Sequence, residues 1–199
     1  MVYIFVAKLQ NISMRLKIKD ITTIRSGAYI KEAMEGSVFY LQVSDFSRED
    51  GVFVLSKPLL ELNVKTESHL LLEGDIVFAA KGMSNFGVVY KEEMGKTVAS
   101  SSFLVIRITD RDLVLPDYLC WILNREDTLA FFKANAAGSS IPSISKVLIE
   151  EHMVDIPPIK VQKKIVEVDR LQQQERLLYQ SIITLRSKLV QKQLIEITK

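Results

Sequence analysis

Apolar residues recur with a strand-like period through the first half of this chain and with a helical one later. Residues 38–43 (VFYLQV), 52–55 and 88–90 are short runs rich in β-branched and aromatic side chains, which predicts strands. Residues 70–72, then Glu73-Gly74-Asp75, then 76–80 read as strand, tight turn and strand, because Gly-Asp is a favoured turn dipeptide. Residues 100–108 (SSSFLVIRI) alternate and then run apolar, as a buried strand does. Residues 16–30 predict a short amphipathic piece followed by a turn, with Asp20 and Thr22 as caps and Gly27 free to take a positive φ.

The period becomes helical at Pro116. Tyr118, Leu119, Ile122 and Leu123 share one face, Pro116 suits a first turn, and the helix is expected to run on through Phe131 or Phe132. Residues 135–143 (NAAGSSIPS) read as a loop, and 147–156 as a short mixed segment closed by Pro157-Pro158. Residues 161–197 then contain neither Gly nor Pro. At ~1.5 Å per residue that stretch would span roughly 55 Å as a helix.

Val161, Ile165, Val168, Leu171, Leu178, Ile182, Leu185 and Leu189 form the apolar seam of this helix, interrupted by Glu175. Beyond Leu189 the stripe drifts to Val190, Leu194 and Ile197, as a 3.6-residue period requires. A helix this long with so polar an outer face pairs with another helix. One such helix is visible, so its partner is expected from a second copy or another subunit. The alternative is a helix folded back on its own domain. The division expected is a domain over 1–158 and a spacer or dimerisation helix over 159–199. Residues 1–13 read as a non-native extension, because Met14 opens a more natural start.

Composition narrows the function. The 199 residues are 48% hydrophobic and 25% charged, as in an ordinary folded domain. The single cysteine, Cys120, excludes an internal disulfide and favours a reducing compartment. The apolar start at 2–7 is too short for a membrane span and lacks signal-peptide flanks. The net charge of +2 divides unevenly: residues 160–199 carry +5 and the remainder −3. Any nucleic-acid contact of the domain must therefore be local.

Catalytic and metal chemistry find no footing. His69 and His152 lie far apart in sequence, with no ligand-like spacing to Cys120. Gly82 and Gly87 have the gap of a phosphate loop, but Val88-Val89 stands where Lys-Ser/Thr would follow. Asp155-Ile156-Pro157-Pro158 lacks the aromatic residue and the register of an amino-methyltransferase motif. What remains are loops mixing basic, hydroxyl and amide groups, suited to phosphate and base-edge contacts. From these the candidate DNA-binding residues are Arg25, Ser26, Tyr29, Lys31, Ser44, Lys81, Ser84, Asn85, Ser139, Ser140 and Lys146.

The ordered set LKIKDITTIRSG, YLQVSDF, LLLEGDIVFAAKG, SSSFLVIRI, LPDYLCWILN and GSSIPSISKVLIEEHMVDIPPIKVQKKIVEVDRL resembles the specificity subunits of Type I restriction–modification systems. The similarity runs over nearly the whole chain from about Met14. Its most specific parts are G-D-I-x-F, L-P-x-Y-L-x-W-x-L-N and I-P-P-x-x-x-Q-x-K-I. The resemblance implies an α+β fold: a mixed target-recognition domain followed by a long coiled-coil helix. It also implies a non-catalytic cytoplasmic subunit that reads half of a split site in double-stranded DNA. It would dock methyltransferase subunits, which themselves hold S-adenosylmethionine, and a nuclease subunit would join them. The usual subunit has two such domains and two helices. This chain has one of each, so the missing half is either a second copy, predicting a split palindromic target, or absent, as in a truncated or cassette product. A protein-interaction adaptor that docks the methyltransferase without reading DNA is the other functional alternative.

Overall fold

A computed structural model describes residues 13–31, 35–47, 52–55, 57–82, 84–137 and 142–198. A four-stranded antiparallel sheet lies at the centre, in the order β2 (Thr22–Ser26), β9 (Phe103–Ile108), β6 (Ile76–Ala79), β7 (Gly87–Val89). The two central strands are buried along nearly their whole length, which is why they read as continuous apolar runs. One face carries Ile24, Ile76, Phe78, Leu104 and Ile106 against helices α2 (Pro116–Asn124), α3 (Glu126–Ala134) and α4 (Lys146–Glu150). The other face carries Val77, Ala79, Phe103 and Val105. Over it lie the parallel pair β3 (Phe39–Leu41) and β8 (Thr97–Ala99) and the hairpin β4 (Phe46–Ser47) and β5 (Val52–Phe53).

The resembling motifs prove to be the joints of this fold. Gly74 takes a φ of 81° in the turn before β6, and Asp75, fully buried, receives Arg107 Nε and Nη2 at 2.6 Å each. Asn124 ends α2 against edge strand β7: its Nδ2 donates to Gly87 O at 2.8 Å, and Gly87 N donates back to Oδ1 at 2.7 Å. That exchange imitates a neighbouring strand and covers the sheet edge. Tyr118 donates from its hydroxyl to Asp155 O at 2.8 Å. Asp155 belongs to β10 (Met153–Ile156), which pairs with β1 (Met14–Lys17) and brings both ends of the domain together.

The long helix α5 runs from Ile159 to Ile197, 39 residues. Its first turns are tied to the domain. Gln162 is fully buried, and Ile165 and Val166 pack on the main core. From residue 170 to 198 every side chain except Leu177 is exposed.

Several local expectations change. Within the expected amphipathic piece, residues 18–20 form a 3-10 turn between two strands, with Asp20 accepting Lys17 N at 3.2 Å. Gly27 does not sit at positive φ. It is required because a Cβ there would lie 2.1 Å from Ser100 O. Residues 70–72 form no strand beyond a bridge from Leu70 to Val98, and an unpredicted short helix α1 (Val64–Ser68) precedes them. The helix begun at Pro116 does not run through Phe132. Arg125 is extended (ψ 143°), and the chain restarts as α3, a turn that lets Thr128 and Phe132 bury.

Candidate nucleic-acid interface

β2 and β6 point the same way, and β9 and β7 run against them. Segments 27–31 and 80–82 therefore leave the sheet at one end, and 84–86 enter β7 there. The 142–146 segment joins them there, as Ile144 N donates to Ala80 O at 2.9 Å and Gly82 N to Pro142 O at 3.0 Å. The turn holding Ser44 arrives at the same end, because Ser100 N donates to Leu41 O at 2.9 Å and Phe46 stacks on Phe86 at 3.9 Å. Loops separated by over a hundred residues thus form one surface.

On that surface Ser26, Tyr29, Lys31, Ser44 and Lys81 are exposed, Tyr29 by 80%. Lys146 is exposed and lies 3.4 Å from Glu150. Ser84 is half-buried. Asn85 is committed internally, its Nδ2 donating to Ala79 O at 2.9 Å. Arg25 is half-buried and turned towards α1, with Nη2 donating to His69 O and Leu70 O and Nη1 3.1 Å from His69 Nδ1. Ser139 and Ser140 lie outside the described residues, and so do residues 1–12 of the expected extension.

Three features have no signal in the sequence. Lys65 on α1 donates to Tyr29 O at 3.2 Å. His69 meets Arg25 across 44 positions, a contact no local pattern announces. A cleft of about 990 Å³ opens between Phe46, Phe86, Trp121 and Arg125 on the domain and Asp169, Arg170 and Arg176 on α5. Cys120 borders it, but burial pushes its thiol up to about 12, so it is inert at neutral pH. Among the described residues no group of three His, Cys, Asp or Glu side chains could hold a metal, and no helix is long and apolar enough to cross a membrane.

Both histidines are held below the ordinary value of 6.5. Burial comes first for His69, then the charges of Arg25 and Lys65. Burial also leads for His152, which packs 5.1 Å from the rings of both Phe131 and Phe132. A depressed histidine contributes nothing above the unfolded value, where both states are neutral. Below about 6.5 the unfolded chain takes up the proton first, so stability falls. The urea midpoint is expected to drop between about pH 7.5 and 5.5, and His69→Gln with His152→Gln should flatten that drop.

On α5 the seam expected from the sequence divides. At roughly 100° per residue, Leu171, Leu178, Ile182, Leu185 and Leu189 share one arc, all exposed. This arc is opposite the one that carries Gln162, Val166 and Asp169 towards the domain. Val161 and Val168 stand at its shoulder, exposed by 42% and 55%. Ile165 departs from the expected seam: it lies on the domain side and packs on the core. A second exposed stripe, Tyr179, Ile183, Val190, Leu194 and Ile197, lies about 110° round from the seam.

The family model described as "Type I restriction modification DNA specificity domain" matches residues 13–188. The specificity subunit of the Type I restriction enzyme MjaVIII from Methanocaldococcus jannaschii is 26% identical over 152 residues, covering 76% of this chain and 32% of that protein. The Type I restriction–modification S subunit from M. genitalium has the same fold, with a TM-score of 0.60 at 14% identity over 91% of this chain and 44% of that one. The HsdS subunit from Thermoanaerobacter tengcongensis does too, with a TM-score of 0.56 at 14% identity over 90% and 45%. The chain thus spans about a third of the curated relative and under half of each solved subunit. With the match running over almost every described residue, the chain belongs to the Type I restriction–modification DNA specificity domain family.

Proposed function

We propose that this chain is a half-length DNA-recognition subunit. Two copies would pair through α5 and direct a Type I methyltransferase, joined by its nuclease, to a bipartite site in double-stranded DNA. The observation that carries the reading is the lone 39-residue helix, whose apolar seam faces away from its own domain. A second helix can lie along that seam without meeting the domain. Pairing about a two-fold axis would set two recognition ends apart by a fixed distance, which reads as a split palindrome. The second stripe remains uncovered by a two-helix pair and suits helices of the methyltransferase subunit. In this reading the chain itself performs no chemistry, S-adenosylmethionine is held by the methyltransferase, and the assembly works in the cytoplasm.

The test is enrichment of a random duplex pool by the chain together with its methyltransferase subunit. A bipartite palindrome is the expected result; enrichment of no sequence overturns the reading. Pairing is tested separately. The isolated chain should scatter light as a dimer at micromolar concentration, and Ile182→Asp with Leu185→Asp should give a monomer with an unchanged domain, because both side chains are exposed in the single chain. A monomeric wild type would refute the homodimer. The charge of −3 outside the tail favours a second reading, an adaptor that docks the methyltransferase only. That reading expects binding to the subunit with no salt-dependent DNA affinity.

A further inference from the structure

Arg25 occupies an unusual setting for a half-buried cation. A guanidinium has five N–H donors. Three of them go to neutral acceptors: His69 O at 3.1 Å, Leu70 O at 3.0 Å and His69 Nδ1 at 3.1 Å. Among the described residues no carboxylate pairs with Arg25. The nearest buried one, Asp75, is already held by both nitrogens of Arg107. The side chain is thus oriented without a direct carboxylate contact, Asp75 acting on it only through space, and Nε–H and one Nη1–H are left for an outside acceptor. Beside it Lys65, exposed, spends one donor on the Tyr29 carbonyl. Tyr29 and Lys31 continue the surface into open solvent. Glu67 on α1 and Glu61 just before it are exposed acids of this neighbourhood, and Arg25, Lys65, Lys31 and Arg107 still outnumber Asp75, Glu67 and Glu61. The setting is local and cationic on a domain that is acidic overall.

We propose that Arg25 and Lys65 form a clamp for the phosphodiester backbone of duplex DNA, with His69 as the residue that positions Arg25. The proposal rests on the DNA-recognition reading and adds to it a phosphate contact at the corner between β2 and α1. Neutral acceptors suit a phosphate clamp because they fix the guanidinium plane and leave its charge for the ligand. Such a contact sets register on the duplex and carries no sequence preference of its own.

The experiment measures affinity of the full chain, with its methyltransferase subunit, for mixed-sequence duplex DNA across a series of salt concentrations. Removing one phosphate contact lowers the slope of log affinity against log salt by about 0.9. Arg25→Gln and Lys65→Gln should each show that decrease. His69→Ala should weaken binding, and His69→Gln, whose amide oxygen can accept from Arg25, should restore it. A merely structural Arg25 would alter the unfolding midpoint and leave the slope alone. Lys65 is exposed, so its variant folds and decides the matter even if Arg25→Gln does not. A wild-type slope in folded Lys65→Gln overturns the clamp and leaves DNA recognition standing. Absence of salt-dependent binding by the wild type overturns both.

Discussion

Asp75→Ala should lower the unfolding free energy by about 2–3 kcal/mol, read from the urea midpoint at neutral pH. Asp75 is fully buried, and its carboxylate does two things. Its Oδ1 and Oδ2 receive Arg107 from β9, and Oδ2 also accepts the Leu72 N–H at 2.9 Å. The backbone of the same residue closes the turn, with Asp75 N donating to Leu72 O at 2.9 Å and Tyr90 N donating to Asp75 O at 2.7 Å. One side chain therefore couples the turn to the central strand. Removing one member of a fully buried ion pair costs about 3–5 kcal/mol. Here the loss is smaller, because the Arg107 side chain is 36% exposed and can turn to water. Asp75→Asn should fall between alanine and wild type, since an amide oxygen can still serve one donor. A midpoint unchanged by the alanine variant would show that the pair contributes no net stability.

Gln162→Leu should cost more, about 3–4 kcal/mol, and it should free the base of α5. Gln162 is completely buried in the helix's first turns. Its Nε2 donates to Leu113 O at 2.9 Å and Pro157 O at 2.7 Å, and its Oε1 accepts Leu115 N at 2.9 Å. Leucine fills nearly the same volume, so packing changes little. It leaves one N–H and two carbonyls without partners, and each stranded buried group costs about 1–3 kcal/mol. Limited trypsin digestion gives a second readout. Lys160, Lys163 and Lys164 are exposed on a helix that the Gln162 contacts hold in place. Cleavage there should accelerate in the variant, while the distal helix keeps its own rate. A loss below about 1 kcal/mol would place the docking energy in Ile165 and Val166 instead.

The same contacts explain a motif that the sequence presents without a reason. The Gln of I-P-P-x-x-x-Q-x-K-I reads as one polar residue on an amphipathic helix. Its three partners lie at positions 113, 115 and 157, on either side of the β10 strand. The Asn of L-P-x-Y-L-x-W-x-L-N reads as a C-terminal residue, and the fold makes it a substitute strand for Gly87. In both cases the residue is visible in the sequence and its partner is not.

The candidate interface divides in the same way. Loop chemistry points to Tyr29, Lys31, Ser44 and Lys81, and all four are exposed where the sheet ends. It points equally to Asn85, whose amide is taken by Ala79 O. It does not point to Lys65 or His69. They sit in a segment whose short helix gives no period to read, and they join Arg25 and Tyr29 only through long-range contacts.

Features that depend on neighbours three or four positions apart are legible along the chain. The apolar period of α2, the Gly-Asp turn, the buried strand at 103–108 and the unbroken helix after Pro158 are set by local sterics and by which face is apolar. The long helix could be read most fully, because it has few tertiary partners to override its pattern. Long-range packing alone settles which carboxylate meets Arg107, which face of α5 the domain occupies, and which loops share one end of the sheet. Those depend on strand order, and strand order is set by how two apolar faces are covered at once. No window of the sequence contains that information, because the residues that settle it are brought together by the fold itself.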